Sequence, residues 1–198
     1  MGWPMACHLQ DAGAEMIVWN RSEPRCREAA ERGMLVATDP AALAEAVGDG
    51  IICLNLTHTH VVEGIIETIL PVTAAGACVI DFGTTGYNET LGFASAFAER
   101  GACWLDAPVS GGQVGAEAGN VTIMVGGEKE AFDRVLPLMK VVGEKVTHMG
   151  KSGAGQVTKL ANQLIVAQTI DAVAQALRMA ELAGVDSGLV RDAPRGGF

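Results

Sequence analysis

The sequence predicts an α/β protein with a doubly wound parallel sheet, followed by a long helix that begins an all-helical domain. In the first 150 residues, short runs of strand length alternate with stretches of helical composition, the pattern of a parallel sheet covered by helices. After Gly150 the pattern changes, because one helical stretch runs from about residue 154 to residue 183 and ends at Gly184. We therefore predict two domains, residues 1–150 and residues 151–198.

Six short runs predict the strands. Most are apolar and end beside a polar residue, as expected for strands that are buried on both faces. They are residues 16–19, 50–54, 78–81, 103–106, 121–125 and 145–149. Trp19, Trp104 and Met124 lie in these runs, and we expect all three in the core.

Helical composition marks the stretches between the runs. These stretches are residues 4–12, 23–32, 40–47, 61–70 and 87–100. Ser22 and Asp39 stand at expected N-caps, each with a proline within two residues. The glycines expected at helix C-termini are Gly13, Gly33, Gly48 and Gly101.

The apolar residues of the long helical stretch cover more than one stripe, so this helix is predicted to be buried on several sides. A single helix cannot bury its own faces, so we expect residues 151–198 to be the incomplete start of a helical domain. The apolar residues are Leu160, Leu164, Ile165, Ile170, Val173, Leu177 and Leu182.

Charge and composition argue against several classes of protein. The net charge of −9 argues against a surface for nucleic acid or for an anionic membrane. No apolar run reaches the roughly 18 residues of a membrane span, and no secretory signal is visible, so we predict a cytoplasmic protein. The cysteines are scattered and never spaced as CxxC, and the histidines lack partners at metal-ligand spacing. We therefore expect free thiols and no metal.

Lys159 is the most informative polar residue. It lies near the start of the long apolar helix, where removing an ammonium group from water is costly unless something compensates. Asn162 and Gln163 follow at i+3 and i+4, so the three polar groups project from one helix face. This combination predicts a site for a small polar substrate. The alternative is a surface lysine whose stem covers apolar neighbours.

The N-terminal segment has the pattern of a nucleotide-binding βαβ unit whose first strand is missing. Met1 and Gly2 lead into a helix, and the next strand ends at Asn20, Arg21 and Ser22. In such a unit the helix N-terminus binds pyrophosphate, and the end of the second strand meets the adenosine ribose. An arginine there accommodates the 2′-phosphate of NADP(H), whereas a carboxylate favours NAD(H). We therefore predict NADP, with NAD as the alternative; otherwise Arg21 is a solvated surface arginine.

Three segments carry a family resemblance. They are Met1-Gly-x-Pro-Met-Ala6, Asp106-Ala-Pro-Val-Ser-Gly-Gly112 with its continuation through Gly115-Ala-x-x-Gly119 and Met124-Val-Gly-Gly127, and Gly153-x-Gly-x-x-x-Lys159-x-x-Asn162-Gln163. Together they resemble the β-hydroxyacid dehydrogenase family, which includes 3-hydroxyisobutyrate dehydrogenase, glyoxylate/succinic semialdehyde reductases and tartronate semialdehyde reductase. The resemblance implies a Rossmann domain joined by a long helix to a helical domain, and the reversible oxidation of a 3-hydroxy acid.

The resemblance also implies roles for single residues. Lys159 matches the catalytic lysine. The residues expected to hold a small carboxylate substrate are Ser110, Gly111, Gly112, Asn162 and Gln163. The residues expected to contact the cofactor are Met1, Gly2, Asn20, Arg21, Ser22, Leu54, Asn55 and Thr84.

The implied chemistry suits a lysine. Hydride transfer to an aldehyde carbon builds negative charge on the carbonyl oxygen, which a nearby ammonium stabilises and protonates. In reverse, the neutral amine takes the hydroxyl proton. Ser110 offers a hydroxyl donor, and the two glycines after it let backbone N–H groups approach a carboxylate. Asp106 is expected to brace this loop rather than act as an acid.

The sequence leaves alternatives open. Gln163 stands where many members have asparagine, and Ala-Asn-Gln is similar to tartronate semialdehyde reductases; Gly86 replaces a frequent proline. An imine-reducing relative on the same scaffold is the second enzyme hypothesis. The third is an inactive truncated fragment, since a missing central strand leaves unpaired edges, and we expect weak or no activity for residues 1–198 alone. The full-length protein is expected to be a homo-oligomer, a dimer or tetramer.

Overall fold

The computed structural model describes residues 1–193. The helices are α1 (Gly2–Asp11), α2 (Glu23–Glu31), α3 (Pro40–Val47), α4 (Thr59–Ile69), α5 (Tyr87–Glu99), α6 (Gly112–Ala118), α7 (Lys129–Val142), α8 (Ala154–Leu182) and α9 (Ser187–Asp192). The strands are β1 (Ile17–Val18), β2 (Leu35–Val36), β3 (Ile51–Leu54), β4 (Cys78–Asp81), β5 (Cys103–Asp106), β6 (Val109–Ser110), β7 (Val121–Gly126) and β8 (Gly143–Gly150). A short 3₁₀ turn, Leu70–Val72, follows α4.

The main sheet has the order β3-β4-β5-β7-β6, with β8 paired to β7. Strands β3, β4 and β5 are parallel and in register, so their carboxyl ends meet at one edge. Strand β7 is antiparallel to β5 and β6 but parallel to β8. The predicted α/β fold, with a parallel-dominated sheet and a long C-terminal helix, is confirmed.

Strands β1 and β2 form a parallel pair of their own, with Ile17 opposite Leu35 and Val18 opposite Val36. The sequence predicts a doubly wound sheet whose first strand is missing, which leaves unpaired edges on the two neighbouring strands, here β1 and β3. Among residues 1–193, no hydrogen-bonded strand joins β1 to β3, so the structure has two sheets.

Two apolar clusters cover the faces of the main sheet. Strand β4 contributes to both, because successive side chains of a strand point to opposite faces. Ile80 packs with residues of α1 and α7 in the first cluster, and Val79 packs with residues of α4 and α5 in the second. Trp104 and Met124 are buried as predicted, but Trp19 is only half-buried, so its assignment to the core is wrong.

The predicted helix ends are largely confirmed. Asp39 caps α3, since its Oδ1 accepts a hydrogen bond from the Ala42 N–H at 2.8 Å. The cap glycines have positive φ angles, which glycine adopts without steric cost: Gly13, Gly33, Gly48 and Gly101. Ser22 occupies the N-cap of α2 without a side-chain capping bond.

Five elements were not predicted: β2, β6, α6, α7 and α9. The two strands have two residues each, too few for any period to be recognised. Helix α7 does carry a helical pattern, because Phe132, Val135 and Met139 are buried at spacings of three and four residues. The pattern was detectable, although Pro137 interrupts it.

The chain divides into two compact units, residues 1–159 and residues 160–198. In the second unit, the apolar faces of α8 are exposed, in agreement with the expectation that a single helix cannot bury its own faces. Leu164, Ile165, Ile170 and Leu182 are 63–74% exposed, since the described residues provide no second layer over them. Within residues 1–193, no helix is both long and apolar enough to cross a membrane.

Gly155, in the first turn of α8, is expected to be essential for packing. A Cβ at this position would overlap the carbonyl oxygens of Met124 and Asp106, which belong to the sheet backbone and cannot move aside cheaply. We expect Gly155→Ala to lower the free energy of unfolding by about 1–3 kcal/mol, measured by urea denaturation.

Gly92→Ala in α5 is the matched control, because a Cβ there meets nothing within 4 Å. It should raise stability by about 0.5–1 kcal/mol, the usual helical preference for alanine over glycine. Equal effects of the two substitutions would contradict the close approach of α8 to the sheet.

Candidate active site

Two buried carboxylates mark the carboxyl edge of the main sheet. Asp81 ends β4 and Asp106 ends β5, and the two residues stand opposite each other in the register of these strands. Burial raises the pKa of both carboxyl groups above the usual range of aspartate, while hydrogen-bond donors oppose the shift. Each carboxylate is therefore held by a specific set of donors.

Asp106 joins the sheet to α8. Its Oδ1 accepts a hydrogen bond from the Gly153 N–H at 2.7 Å, and its Oδ2 accepts one from the Gln156 N–H at 3.0 Å. These N–H groups lie at the start of α8, where they have no partner inside the helix and where the helix dipole favours a negative charge. The expectation that Asp106 braces a loop is thus replaced by a defined role, the capping of the long helix.

Asp81 organises the loop that follows β4. Its Oδ1 accepts a hydrogen bond from the Gly83 N–H at 2.8 Å, and its Oδ2 accepts one from the Thr85 hydroxyl at 2.5 Å. The side chain of Thr84, the predicted cofactor contact, is exposed between these two anchored residues. The loop thus presents Thr84 to solvent while its neighbours face inward.

Gln156 connects the same loop to α8. Its side chain is fully buried; Oε1 accepts a hydrogen bond from the Thr85 N–H at 3.1 Å, and Nε2 donates one to the Gly83 carbonyl at 3.0 Å. The sequence reasoning missed this residue. The available signal was a glutamine at i−3 from Lys159, beside two glycines that permit close packing.

Lys159 lies one turn after Gln156 on α8, and only 9% of its surface is exposed. Desolvation lowers the pKa of its ammonium group below the usual range of lysine. Among residues 1–193, no carboxylate or other acceptor pairs with this ammonium group. Its side chain is largely buried on an anchored helix, unlike the surface lysine of the alternative interpretation.

The serine–glycine loop lies on the same part of the sheet. Ser110 ends β6 opposite Thr122 of β7, and Gly111 and Gly112 both have positive φ angles that lead into α6. The first turn of α8 approaches the same strand, because Gly155 lies against the carbonyl of Met124, two residues along β7 from Thr122. The turn that precedes Lys159 and the Ser110 loop therefore both adjoin the middle of β7.

A shallow cleft of about 360 Å³ lies beside the end of β1, and two of the predicted cofactor residues, Asn20 and Arg21, line it. Trp19 and Glu23 also line this cleft. The Asn20 carboxamide oxygen accepts a hydrogen bond from the Ser22 N–H at 2.8 Å, which fixes the turn. Arg21 is exposed, and within the described residues its guanidinium has no ion-pair partner.

The first turn of α1 approaches the end of β3. A Cβ on Gly2 would stand 2.9 Å from the Cβ of Asn55, so the backbone approach requires glycine. Asn55 is exposed and contacts the Met5 sulfur at 3.4 Å, whereas the Leu54 side chain is buried in the second apolar cluster. The N-cap position of α1, Met1, makes no side-chain capping bond.

Asn162 and Gln163 belong to the second unit of the chain. Their side-chain amides face each other at 3.5 Å, Asn162 is partly buried, and Gln163 is exposed. Their roles in substrate or cofactor binding stay predictions. His58 and His60 stack with ring centroids 5.6 Å apart, and residues 1–193 contain no cluster of three or more metal-ligating side chains.

The chain matches two family models that together cover nearly its whole length. Residues 1–150 match the NAD binding domain of 6-phosphogluconate dehydrogenase. Residues 153–198 match the NAD-binding model of NADP-dependent 3-hydroxyisobutyrate dehydrogenase. Both models describe nicotinamide-dinucleotide-binding proteins.

Individual relatives agree with these models. The chain is 39% identical to the 2-hydroxy-3-oxopropionate reductase of Escherichia coli (strain K12), with the match covering 100% of this chain and 68% of that protein. It superposes on Mycobacterium tuberculosis 3-hydroxyisobutyrate dehydrogenase, solved with L-serine, with a TM-score of 0.92 and 30% identity over 99% of this chain and 67% of that one. The chain also superposes on a Streptomyces aurantiacus imine reductase, with a TM-score of 0.84 and 21% identity over 100% of this chain and 71% of that one. This likeness shows the fold alone.

The chain spans about two thirds of the length of such relatives. The family resemblance predicted from the three sequence segments is confirmed over the whole chain. The chain therefore belongs to the 3-hydroxyisobutyrate dehydrogenase type of the β-hydroxyacid dehydrogenase family, whose members are NAD(P)-dependent oxidoreductases.

Proposed function

We propose that this chain carries the cofactor-binding domain and the acid/base residue of an NADP(H)-preferring 3-hydroxyacid dehydrogenase. It would interconvert a small semialdehyde and its 3-hydroxy acid. Residues 1–150 would form the cofactor-binding domain, and residues 151–198 would begin the helical domain. The observation that carries the proposal is the largely buried Lys159 side chain, whose ammonium group has no counter-charge among residues 1–193, on a helix that Asp106 anchors to the carboxyl edge of the sheet.

The residues present fit a nicotinamide dinucleotide. The first turn of α1 has no side-chain cap and approaches β3 closely through Gly2, which suits a pyrophosphate at a helix N-terminus. The cleft beside Asn20 and Arg21 suits the adenosine ribose, and the unpaired guanidinium suits a 2′-phosphate. Thr84 is exposed on its loop and would contact the nicotinamide ribose. Bound NADPH would supply the hydride that reduces the aldehyde carbon.

The protein's own contribution to the chemistry is proton transfer at Lys159 Nζ. In reduction, the carbonyl electron pair moves onto oxygen as the carbon is reduced, and the ammonium group stabilises this oxygen and gives it a proton. In oxidation, the neutral amine takes the hydroxyl proton. Desolvation supports both roles, because it lowers the pKa of Lys159 below the usual value of lysine. The neutral amine that oxidation needs then forms at a lower pH than it would in an exposed lysine.

The serine–glycine loop would bind the substrate carboxylate. Ser110 is partly buried, and its hydroxyl has no hydrogen-bond partner among residues 1–193. The positive φ angles of Gly111 and Gly112 allow backbone N–H groups to face an anion without obstruction by a Cβ. This loop would orient a small carboxylate substrate towards Lys159.

We expect Lys159→Met to abolish turnover while leaving the affinity for NADP⁺ within about twofold of the original. Methionine fills the same space but cannot transfer a proton. Steady-state kinetics and calorimetric titration measure the two quantities, in the full-length protein that contains this chain. Lys140→Met, at an exposed position of α7, is the matched control and should change neither. Turnover that survives in Lys159→Met would refute the assigned role.

The two directions of the reaction should depend oppositely on pH. Reduction needs the ammonium form, so its rate should fall as pH rises through the lowered pKa of Lys159. Oxidation needs the neutral amine, so its rate should fall as pH decreases through the same pKa. Profiles of kcat against pH in both directions test this; two profiles that fall on the same side would contradict a single acid/base lysine.

The cofactor preference should depend on Arg21. We expect Arg21→Gln to lower kcat/KM for NADPH about 10- to 100-fold, the usual contribution of a charge-assisted hydrogen bond, and to leave NADH unchanged. Arg25→Gln is the control, because Arg25 pairs with Glu28 and does not line the cleft. Similar efficiencies with both cofactors before mutation would remove the case for NADP, and a complete lack of NADPH binding would favour the inactive-fragment hypothesis.

The substrate can be identified with a small panel. The E. coli relative is named for 2-hydroxy-3-oxopropionate, that is, tartronate semialdehyde, so this compound is the first to test. Glyoxylate and succinic semialdehyde test the other branches of the family, and cyclic imines test the imine-reducing alternative. We expect the highest kcat/KM with a semialdehyde that carries a carboxylate, and preferential reduction of imines would contradict the proposal. The homo-oligomeric state and the cytoplasmic location stay predictions.

A further inference from the structure

Gln156 is the side chain that connects the loop after β4 to α8. It has no exposed surface, and three of its polar groups form hydrogen bonds to Asp106 at the end of β5 and to the loop after β4. Its own N–H donates to Asp106, its Oε1 accepts from the Thr85 N–H, and its Nε2 donates to the Gly83 carbonyl. One side chain thus spans the backbone on both sides of Thr84.

This arrangement fixes the distance between the Thr84 loop and the helical turn that carries Lys159. Thr84 lies between the two backbone groups that Gln156 binds, and Lys159 lies at i+3 from Gln156 on the same helix. Residues three apart on a helix are direct neighbours. A rigid connection therefore runs from the exposed Thr84 segment through the Gln156 carboxamide to the helical turn that carries the ammonium group.

We propose that Gln156 is a positioning residue that holds the Thr84 loop in the conformation that binds the nicotinamide half of the cofactor, at a fixed distance from Lys159. The inference rests on the proposed function and deepens it, because it names the group that aligns the cofactor loop with the proton donor. An apolar side chain would fill the same buried space but would leave the loop free. The hydrogen bonds, rather than the volume of the side chain, are thus the property to test.

Gln156→Glu provides a switch that pH controls. When protonated, the glutamic acid has an O–H that donates to the Gly83 carbonyl and a carbonyl oxygen that accepts from the Thr85 N–H, so it replaces glutamine. When ionised, it can only accept, and its charge faces the Gly83 carbonyl. The charged groups around it are the carboxylates of Asp81 and Asp106, which favour the protonated form, and the ammonium of Lys159 one turn away, which opposes them.

We expect the dissociation constant of NADP⁺ for Gln156→Glu to equal that of the unmodified protein at low pH and to rise about tenfold as the glutamate ionises, since a hydrogen bond to the loop is lost. Each value is compared with the unmodified protein at the same pH, which removes the titration of the cofactor itself. Gln168→Glu, at an exposed position later in α8, is the matched control and should show no such dependence. A flat ratio for Gln156→Glu would overturn the proposal.

A second measurement does not depend on cofactor binding. In Gln156→Met the Thr85 N–H loses its acceptor, so hydrogen exchange in residues 82–86 should be at least about tenfold faster, while exchange in β4 stays unchanged. Equal exchange in residues 82–86 would overturn the proposal. If Gln156→Met does not fold, Gln156→Glu above and below its ionisation supplies the comparison within one folded protein.

The two hypotheses fail in different ways. Turnover by Lys159→Met refutes the proposed function whatever the result at Gln156. Loss of turnover in Lys159→Met, combined with a flat pH ratio and unchanged exchange at Gln156, refutes the positioning role alone.

Discussion

The attachment of α8 to the main sheet through the Asp106 carboxylate is the interaction on which the candidate site depends. A buried carboxylate is unfavourable unless donors satisfy it, and here the donors are N–H groups at a helix start, which need an acceptor themselves. Each group thus removes the other's desolvation penalty. Close contact then requires glycine, because a Cβ at Gly126 or Gly155 would collide with Asp106 or with the sheet backbone. One glycine from each of two family motifs, Gly126 and Gly155, is therefore explained by the same contact.

The position of Lys159 follows from this attachment. The first turn of α8 is fixed at the carboxyl edge of the sheet, and Lys159 lies one helical turn beyond Gln156, which binds the loop after β4. The Lys159 side chain is largely buried without a counter-charge among residues 1–193, and a perturbed pKa in such a position is typical of functional sites. Two loops at this edge are held in different ways. Hydrogen bonds from Gln156 and to Asp81 hold the Thr84 loop, whereas the conformation of the Ser110 loop depends on glycines with positive φ angles.

The sequence predicted the parts of the fold that have a clear local pattern. Strands β4 and β5 and helix α3 begin and end where expected, since apolar runs of four residues and a proline start are unambiguous signals. The separation of β1 and β2 from the main sheet agrees with the expectation that a missing first strand leaves unpaired edges on its neighbours. The contacts of Gln156 and Asp106 were not predicted, because their hydrogen-bond partners lie 47 to 73 residues away in the chain and leave no local pattern. Lys159 was identified because a cation in an apolar helix conflicts with local preference, and such conflicts are visible in a sequence.

The turn from Asn20 to Ser22 and the start of α8 belong to different parts of the fold. The turn follows the two-stranded sheet of β1 and β2, whereas Asp106 attaches α8 to the main sheet. Within the described residues, the exposed Arg21 of this turn makes no ion pair. A change of side chain at Arg21 therefore leaves the hydrogen bonds that attach α8 intact.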